Sequence, residues 1–206
     1  MTTVIFGEAL VDDFGSEQVV GGAPFNVARH LAAFMSPQLM VTRVGNDRNG
    51  TLVRAEFERF AMSARGLQLD SMEETGRVIV ERNGDGHRFV ILPGQAYDYI
   101  HTDAALAAVR EVEPLAVCFG TLAQRGARSR EALFALLGAS TATRFLDLNL
   151  RTGQYDDDCI DRSLSAADIV KVNEEELQVL FSRWLDIDDA ADAMTVDAVR
   201  AACAEL

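Results

Sequence analysis

The chain has 206 residues, of which 49% are apolar and 25% charged, as in a globular protein with a sizeable core. Its formal net charge of −13 argues against nucleic acid or an anionic membrane as a partner. Cys118, Cys159 and Cys203 are widely spaced and form no CxxC pair, which suits a reducing compartment. No uncharged apolar stretch reaches the ~18 residues of a membrane span, so we expect a soluble cytoplasmic protein.

Short apolar strands alternate with amphipathic helices along most of the chain. In chain order the sequence predicts a strand over 3–6, a helix over 24–35, a strand over 39–44, a helix over 50–62, a strand over 115–119, a helix over 129–138, strands over 145–148 and 168–172, and a helix near 174–184. Thr195 is suited to cap a last helix. This alternation predicts an α/β fold with a parallel sheet covered on both faces.

The segment 76–92 breaks this alternation. Two strand-like runs, 76–82 and 88–92, flank Asn83-Gly84-Asp85-Gly86, a strong β-hairpin signal. Together with 17–20 they predict a small antiparallel sheet that projects from the main body. Its apolar side chains would be exposed unless a partner or substrate covers them; they are Val78, Val80, Phe89 and Ile91. By pattern alone, a structural hairpin at the sheet edge is the better supported interpretation.

Two adjacent glycines, Gly21 and Gly22, precede a helix whose first turn carries Pro24 and Asn26. Glycines let the backbone approach a ligand closely, and a helix N-terminus beside an amide side chain can bind hydroxyl groups or anions. A glycine turn that leads into a packed helix explains the glycines equally well. The predicted apolar face of this helix consists of Val27, Leu31 and Phe34.

Several polar residues follow predicted strands, where open α/β sheets bind ligands. Asp12 is either an acceptor for sugar hydroxyl groups or a surface acid. Asp147, Asn149 and Arg151 alternate along a predicted extended segment and would share one face. The guanidinium of Arg151 suits phosphate or carboxylate, whereas a structural role is favoured for Asp147.

Asn173 and Glu176 fit a capping box at a helix start, so their spacing alone indicates no metal site. The chain contains no GxxxxGK[ST], GxGxxG, GxSxG or HExxH motif. The sequence therefore gives no support to a P-loop kinase, a nicotinamide dehydrogenase, an α/β serine hydrolase or a zincin.

Five segments resemble motifs of the ribokinase-like (PfkB) carbohydrate kinases, in particular their fructokinase branch. They are GEALVD at 7–12, GGAPFNVARHLA at 21–32, RVGNDRNG at 43–50, DLNLR at 147–151 and VNEEE at 172–176. Five motifs in family order are a specific signal. The resemblance implies one ribokinase-like α/β domain over 1–206, corresponding to the first two thirds of a family member. It has a doubly wound, mostly parallel sheet and a small antiparallel β-lid with strands about 13–20 and 76–93.

The resemblance implies ATP-dependent phosphorylation of a primary hydroxyl of a small sugar, with ATP and Mg²⁺ as cofactors. It implies a lid that closes over the sugar and can form a homodimer contact. Asp47 would hold its loop in shape. The residues implied to bind the sugar are Asp12, Gly22, Ala23, Asn26, Arg88 and Arg151. Those implied near the phosphate and metal are Asn149, Asn173 and Glu176, with Glu176 acting on Mg²⁺ through water.

The sequence departs from the family pattern at one motif. In the family, the carboxylate base and the backbone N–H groups that hold the transferred phosphoryl group come from a late Gly-Ala-Gly-Asp segment. No GxGD occurs in these 206 residues, so the catalytic base and the adenine pocket are expected to be absent from the chain. Two hypotheses follow, a sugar kinase (first of all a fructokinase) and a catalytically inactive sugar-binding or dimerising protein of the same fold.

Overall fold

The computed structural model describes residues 1–83 and 86–184; the predicted cap at Thr195 and the turn residues Gly84 and Asp85 lie outside these ranges. The strands are β1 (Thr2–Phe6), β2 (Leu10–Asp13), β3 (Gln18–Gly21), β4 (Gln38–Gly45), β5 (Leu67–Asp70), β6 (Gly76–Asn83), β7 (Gly86–Ile91), β8 (Pro114–Phe119), β9 (Thr143–Asp147) and β10 (Ile169–Lys171). The helices are α1 (Ala23–Ala33), α2 (Arg48–Arg59), α3 (Thr102–Arg110), α4 (Ala127–Gly138), α5 (Asp157–Ala166) and α6 (Glu174–Trp184). Within these ranges no helix is long and apolar enough to cross a membrane.

The central sheet has six strands in the order β10-β9-β8-β1-β4-β5, and every neighbouring pair is parallel. Helices cover both faces of this sheet. Successive side chains of each strand point to opposite faces, so neighbouring residues pack against different helices. Ile5 and Met40 pack with α1 and α2, whereas Val4 and Leu39 pack with α3 and α4. The predicted doubly wound α/β fold is confirmed.

A second sheet of four strands, in the order β3-β2-β6-β7, forms the lid beside the central sheet. β2 is antiparallel to β3, and β6 is antiparallel to β7, but β2 and β6 are parallel. The predicted lid sheet is therefore antiparallel within each of its two hairpins, and a parallel pair joins the hairpins into a mixed sheet. β2 follows β1 and β6 follows β5, and β1 and β5 belong to the same parallel sheet. Both lid strands therefore leave that sheet in one direction.

Two predictions of exposure differ from the structure. Val78 and Val80 are 4% and 6% exposed, and Val78 packs in the core. Phe89, opposite Val80 on the same face of the lid, is 59% exposed and lines the cleft. The predicted apolar face of α1 is correct only at Leu31, which is partly buried against the core. The buried residues of this helix are Pro24, Phe25 and Ala28, whereas Val27 is exposed and Phe34 lies after the last turn and is exposed.

Candidate functional site

A cleft of about 590 Å³ lies between the lid and the carboxyl-terminal edge of the central sheet. Leu10 and Val78 line its lid side, and Leu122 and Leu150 line it from the loops after β8 and β9. The cleft brings together six of the sequence-predicted site residues, namely Asp12, Gly22, Ala23, Asn26, Asn149 and Arg151. These residues come from three separate sequence motifs.

The glycine turn forms the entrance to α1. Gly22 has φ of 105°, and a Cβ at this position would lie 2.6 Å from the carbonyl oxygen of Glu8, so a larger residue would meet both strain and a clash. The Asn26 backbone N–H donates to the Gly22 carbonyl at 2.9 Å. The side-chain oxygen Oδ1 of Asn26 is buried and has no hydrogen-bond partner in the described part of the chain. A buried acceptor of this kind at a cleft is available to a ligand hydroxyl group.

Neighbouring carboxylates on β2 face opposite sides of the lid sheet. Asp12 lines the cleft, and burial raises its pKa, an effect that the charge of Arg151 opposes. Asp13 lies on the other side, where it accepts the Arg77 guanidinium at 2.6 Å. The backbone N–H of Gly15 and the guanidinium of Arg77 lower the pKa of Asp13. Only Asp12 is therefore placed to accept hydrogen bonds from a ligand in the cleft.

The loop after β9 is not the extended segment that the sequence predicted. Asn149 has φ of 41°, which turns the chain so that Asp147, Asn149 and Arg151 do not share one face. Asp147 accepts the ammonium of Lys171 at 2.8 Å and lines a smaller pocket of about 60 Å³ beside the cleft. Arg151 lines the main cleft with an exposed side chain. The structural role favoured for Asp147 agrees with its ion pair.

Glu176 ties α6 to this loop. The Asn173 backbone N–H donates to Glu176 Oε2 at 2.9 Å, and the Glu176 N–H donates to Asn173 Oδ1 at 2.8 Å, which completes the expected capping box. The other oxygen of Glu176 accepts the Leu150 N–H at 3.0 Å. Glu176 is buried and fixes the backbone between Asn149 and Arg151.

The described residues contain no group of three His, Cys, Asp or Glu side chains that could hold a metal ion. Each oxygen of Glu176 accepts one backbone N–H and keeps a lone pair that can accept a water. This arrangement fits contact with a cation through water rather than direct coordination. Neither Asn173 nor Glu176 lines the cleft.

Arg88 and Asp47 lie away from the cleft. Arg88 pairs with Glu81 in the β6–β7 ladder, and its exposed side chain is absent from the cleft lining. Asp47 caps α2 through the Gly50 N–H at 2.7 Å and accepts the Thr75 N–H at 2.7 Å, so it holds its loop as expected.

Among the polar residues of the cleft, the sequence analysis did not identify Glu8, Thr152 and Gln154. Glu8 is 3% exposed, and burial raises its pKa to about 7. Hydrogen bonds from backbone N–H groups, including that of Ala23, and the charges of Arg151 and Arg125 lower the pKa by less than burial raises it. The position of Glu8 directly after Gly7, at the end of the first buried strand, was the available signal. Gln154 lies in the loop that follows Arg151 and gave no motif signal.

The fold and the cleft define a class of protein: an α/β protein whose second sheet faces a cleft lined by carboxylate and amide acceptors. Comparison with known proteins then identifies the family. The model of the pfkB family carbohydrate kinases matches residues 5–202, and the chain belongs to this family.

Relatives of known name agree with this assignment. A fructokinase of Klebsiella pneumoniae is 30% identical over 186 residues, which cover 84% of this chain and 60% of that protein. The structure of a fructokinase with bound ATP from Xylella fastidiosa superposes with a TM-score of 0.79 at 25% identity, over 96% of this chain and 64% of that one. The structure of the sugar kinase PH1459 of Pyrococcus horikoshii in complex with ATP superposes with a TM-score of 0.77 at 27% identity, over 89% of this chain and 66% of that one. The chain thus spans about 60% of the length of the Klebsiella fructokinase that it matches.

Proposed function

We propose that this chain supplies the sugar-binding part of an ATP-dependent kinase that phosphorylates a primary hydroxyl of a small sugar, with fructose as the first candidate. The observation that carries this proposal is the placement of Asp12 and the unpartnered Asn26 Oδ1 in one cleft with Arg151. Two acceptors hold sugar hydroxyl groups, and the guanidinium attracts the phosphate beside them. The family membership and the name of the Klebsiella relative support the choice of reaction.

In phosphoryl transfer, catalysis is mostly positioning and stabilisation of charge. Asp12 and Asn26 would orient the sugar, with Gly22 and Ala23 giving it close access to the start of α1. Asn149, Asn173 and Glu176 would lie towards the phosphate and metal, with Glu176 holding Mg²⁺ through water. ATP would supply the phosphoryl group. The assignment of Arg88 to the sugar requires its side chain to reach the cleft when the lid closes.

Replacing Asp12 by Asn tests the sugar site. The amide loses the charged acceptor, so the affinity for D-fructose should fall by about 2 kcal/mol, or roughly 30-fold. Isothermal titration calorimetry of the polypeptide against D-fructose and other small sugars measures the change. Asp13→Asn is the matched control, because Asp13 lies on the opposite side of β2 and should leave the affinity unchanged. Equal affinities of wild type and Asp12→Asn would remove Asp12 from the site.

The alternative function, sugar binding or dimerisation without catalysis, has its own support. Phe89 and Val19 are 59% and 40% exposed on the lid, and β7 is an edge strand of the lid sheet. Exposed apolar side chains beside an open strand edge favour contact with a second molecule or a closing ligand. We therefore propose that a homodimer forms through the lid.

Hydrogen exchange tests the role of the lid. Backbone amides of β6 and β7 should exchange more slowly when D-fructose is added or when the protein concentration is raised, because either event covers the lid. Val19→Ser, at an exposed lid position outside the cleft lining, should abolish the effect of concentration and keep the effect of sugar. The amides of β8, buried in the central sheet, serve as the internal control. If neither D-fructose nor protein concentration changes the exchange rates of β6 and β7, the lid is a structural hairpin without a role in sugar binding or dimerisation.

A further inference from the structure

Gln154 is held in one orientation at the wall of the cleft. Its backbone N–H donates to the Arg151 carbonyl at 2.8 Å, which closes a turn in which Gly153 has φ of 76°. The side chain of Gln154 lines both the main cleft and a neighbouring cavity of about 580 Å³. The backbone and the position of this residue are therefore fixed before any ligand arrives.

The side-chain amide of Gln154 is oriented by Arg125. The guanidinium of Arg125 donates to Gln154 Oε1, to the Asp98 carboxylate at 2.8 and 2.9 Å, and to the Leu92 carbonyl at 2.7 Å. A guanidinium has donors and no acceptor, so the amide oxygen of Gln154 must face it. The amide nitrogen Nε2 is then directed away from Arg125, and it makes no hydrogen bond to another described residue.

The cleft presents acceptors from the lid and from α1, and the charged donor of Arg151 from the loop after β9. The Asp12 carboxylate and Asn26 Oδ1 can accept hydrogen bonds from sugar hydroxyl groups, whereas Nε2 of Gln154 can only donate and carries no charge. A sugar also carries oxygens that must accept, such as a ring or carbonyl oxygen. A neutral donor in the same cleft as these acceptors distinguishes sugars by the position of their oxygens, since an unmatched polar group at a buried contact is costly.

We propose that Gln154 is a specificity-determining residue, whose Nε2 donates a hydrogen bond to a sugar oxygen, and that Arg125 is the positioning residue that aims it. This inference rests on the proposed sugar-binding function. Arg125 positions Gln154 because its guanidinium donates to three acceptors at once. They belong to Asp98, to Leu92 at the end of the lid hairpin and to Gln154.

Gln154→Glu tests the proposal with little change of shape. The carboxylate still accepts from Arg125 but has no Nε2 donor, so the Kd for D-fructose should rise about tenfold in calorimetric titration. Gln178→Glu on α6 is the matched control, because it makes the same chemical change outside the cleft lining and should leave the Kd unchanged. Gln154→Ala is the second variant, to be used if Gln154→Glu folds poorly. It leaves the Arg125–Asp98 pair intact, and the same tenfold rise in the Kd for D-fructose is expected.

A set of fructose analogues, each lacking one oxygen, separates a contact from a structural role. Wild type should discriminate against each analogue, and Gln154→Glu should lose its discrimination against one of them only. A uniform loss of affinity for every analogue would assign Gln154 a structural role and overturn the proposal. If Asp12→Asn weakens fructose binding and Gln154→Glu does not, the specificity role fails while the sugar site stands. If wild type binds no sugar of the set, both proposals fail.

Discussion

A polypeptide of residues 1–206 is expected to transfer no phosphate from ATP to D-fructose above the uncatalysed background, even where it binds the sugar. The 206 residues contain no GxGD segment, which in the resembled kinases provides the base and the N–H groups around the phosphoryl group. A general base contributes about 10²–10⁴-fold, and each donor to a developing negative charge about 10²–10³-fold. The expected deficit therefore exceeds ten-thousandfold.

A coupled assay with D-fructose and Mg-ATP measures this rate, with a full-length fructokinase as the positive control. Turnover near ~1–100 s⁻¹, the usual range of kinases, would contradict the expectation. The base would then be one of the carboxylates near the cleft. Asp147 would be tested first as Asp147→Asn, although its ion pair with Lys171 opposes this role.

Glu8→Gln is expected to make the protein more stable at neutral and alkaline pH. Burial raises the pKa of Glu8 from 4.5 to about 7, so between these values the folded state binds a proton that the unfolded state has released. Folding stability must then fall as the pH rises from about 4.5 to 7, by about 3 kcal/mol in all. The neutral amide of Gln removes this cost, so the gain should be largest above pH 7 and vanish near pH 4.5.

Urea unfolding of wild type and Glu8→Gln at pH 5, 6, 7 and 8 measures this difference. Arg125 and Arg151 lie near enough to favour the charged form of Glu8, but burial is the larger effect. Glu17→Gln at an exposed position is the control, and its difference from wild type should not change with pH. A difference for Glu8→Gln that is constant from pH 5 to 8 would contradict the raised pKa.

Strands β1, β4 and β8 of the central sheet could be predicted because each contains a short apolar run with buried residues, whereas β10, which was also predicted, has three exposed residues. The first strand, predicted over 3–6, is observed as Thr2–Phe6, and that over 115–119 as Pro114–Phe119. β5 has only four residues, and α5 is rich in charged residues, so neither shows the same signal. α3 has only nine residues, four of which are alanine, and was not predicted.

The candidate site could be predicted where a short motif fixes both the backbone and the side chain. Asp12 and Asn26 belong to such motifs and line the cleft. The left-handed turn at Asn149 could not be predicted, because an asparagine adopts extended or left-handed backbone according to its tertiary contacts. Glu8 and Gln154 were missed because their importance depends on burial and on Arg125, which are properties of the folded chain.

The parallel pairing of β2 with β6 has a consequence for the order of folding. Its register joins Leu10 to Gly76, whereas β2–β3 and β6–β7 are local hairpins. Contacts between segments far apart in sequence form slowly, because the intervening chain loses conformational entropy first. We therefore expect β4 and β5 to add to β1 before the two halves of the lid meet. The side of the cleft that carries Asp12 is then completed late. The rate at which sugar binding appears during refolding would measure this last step of assembly.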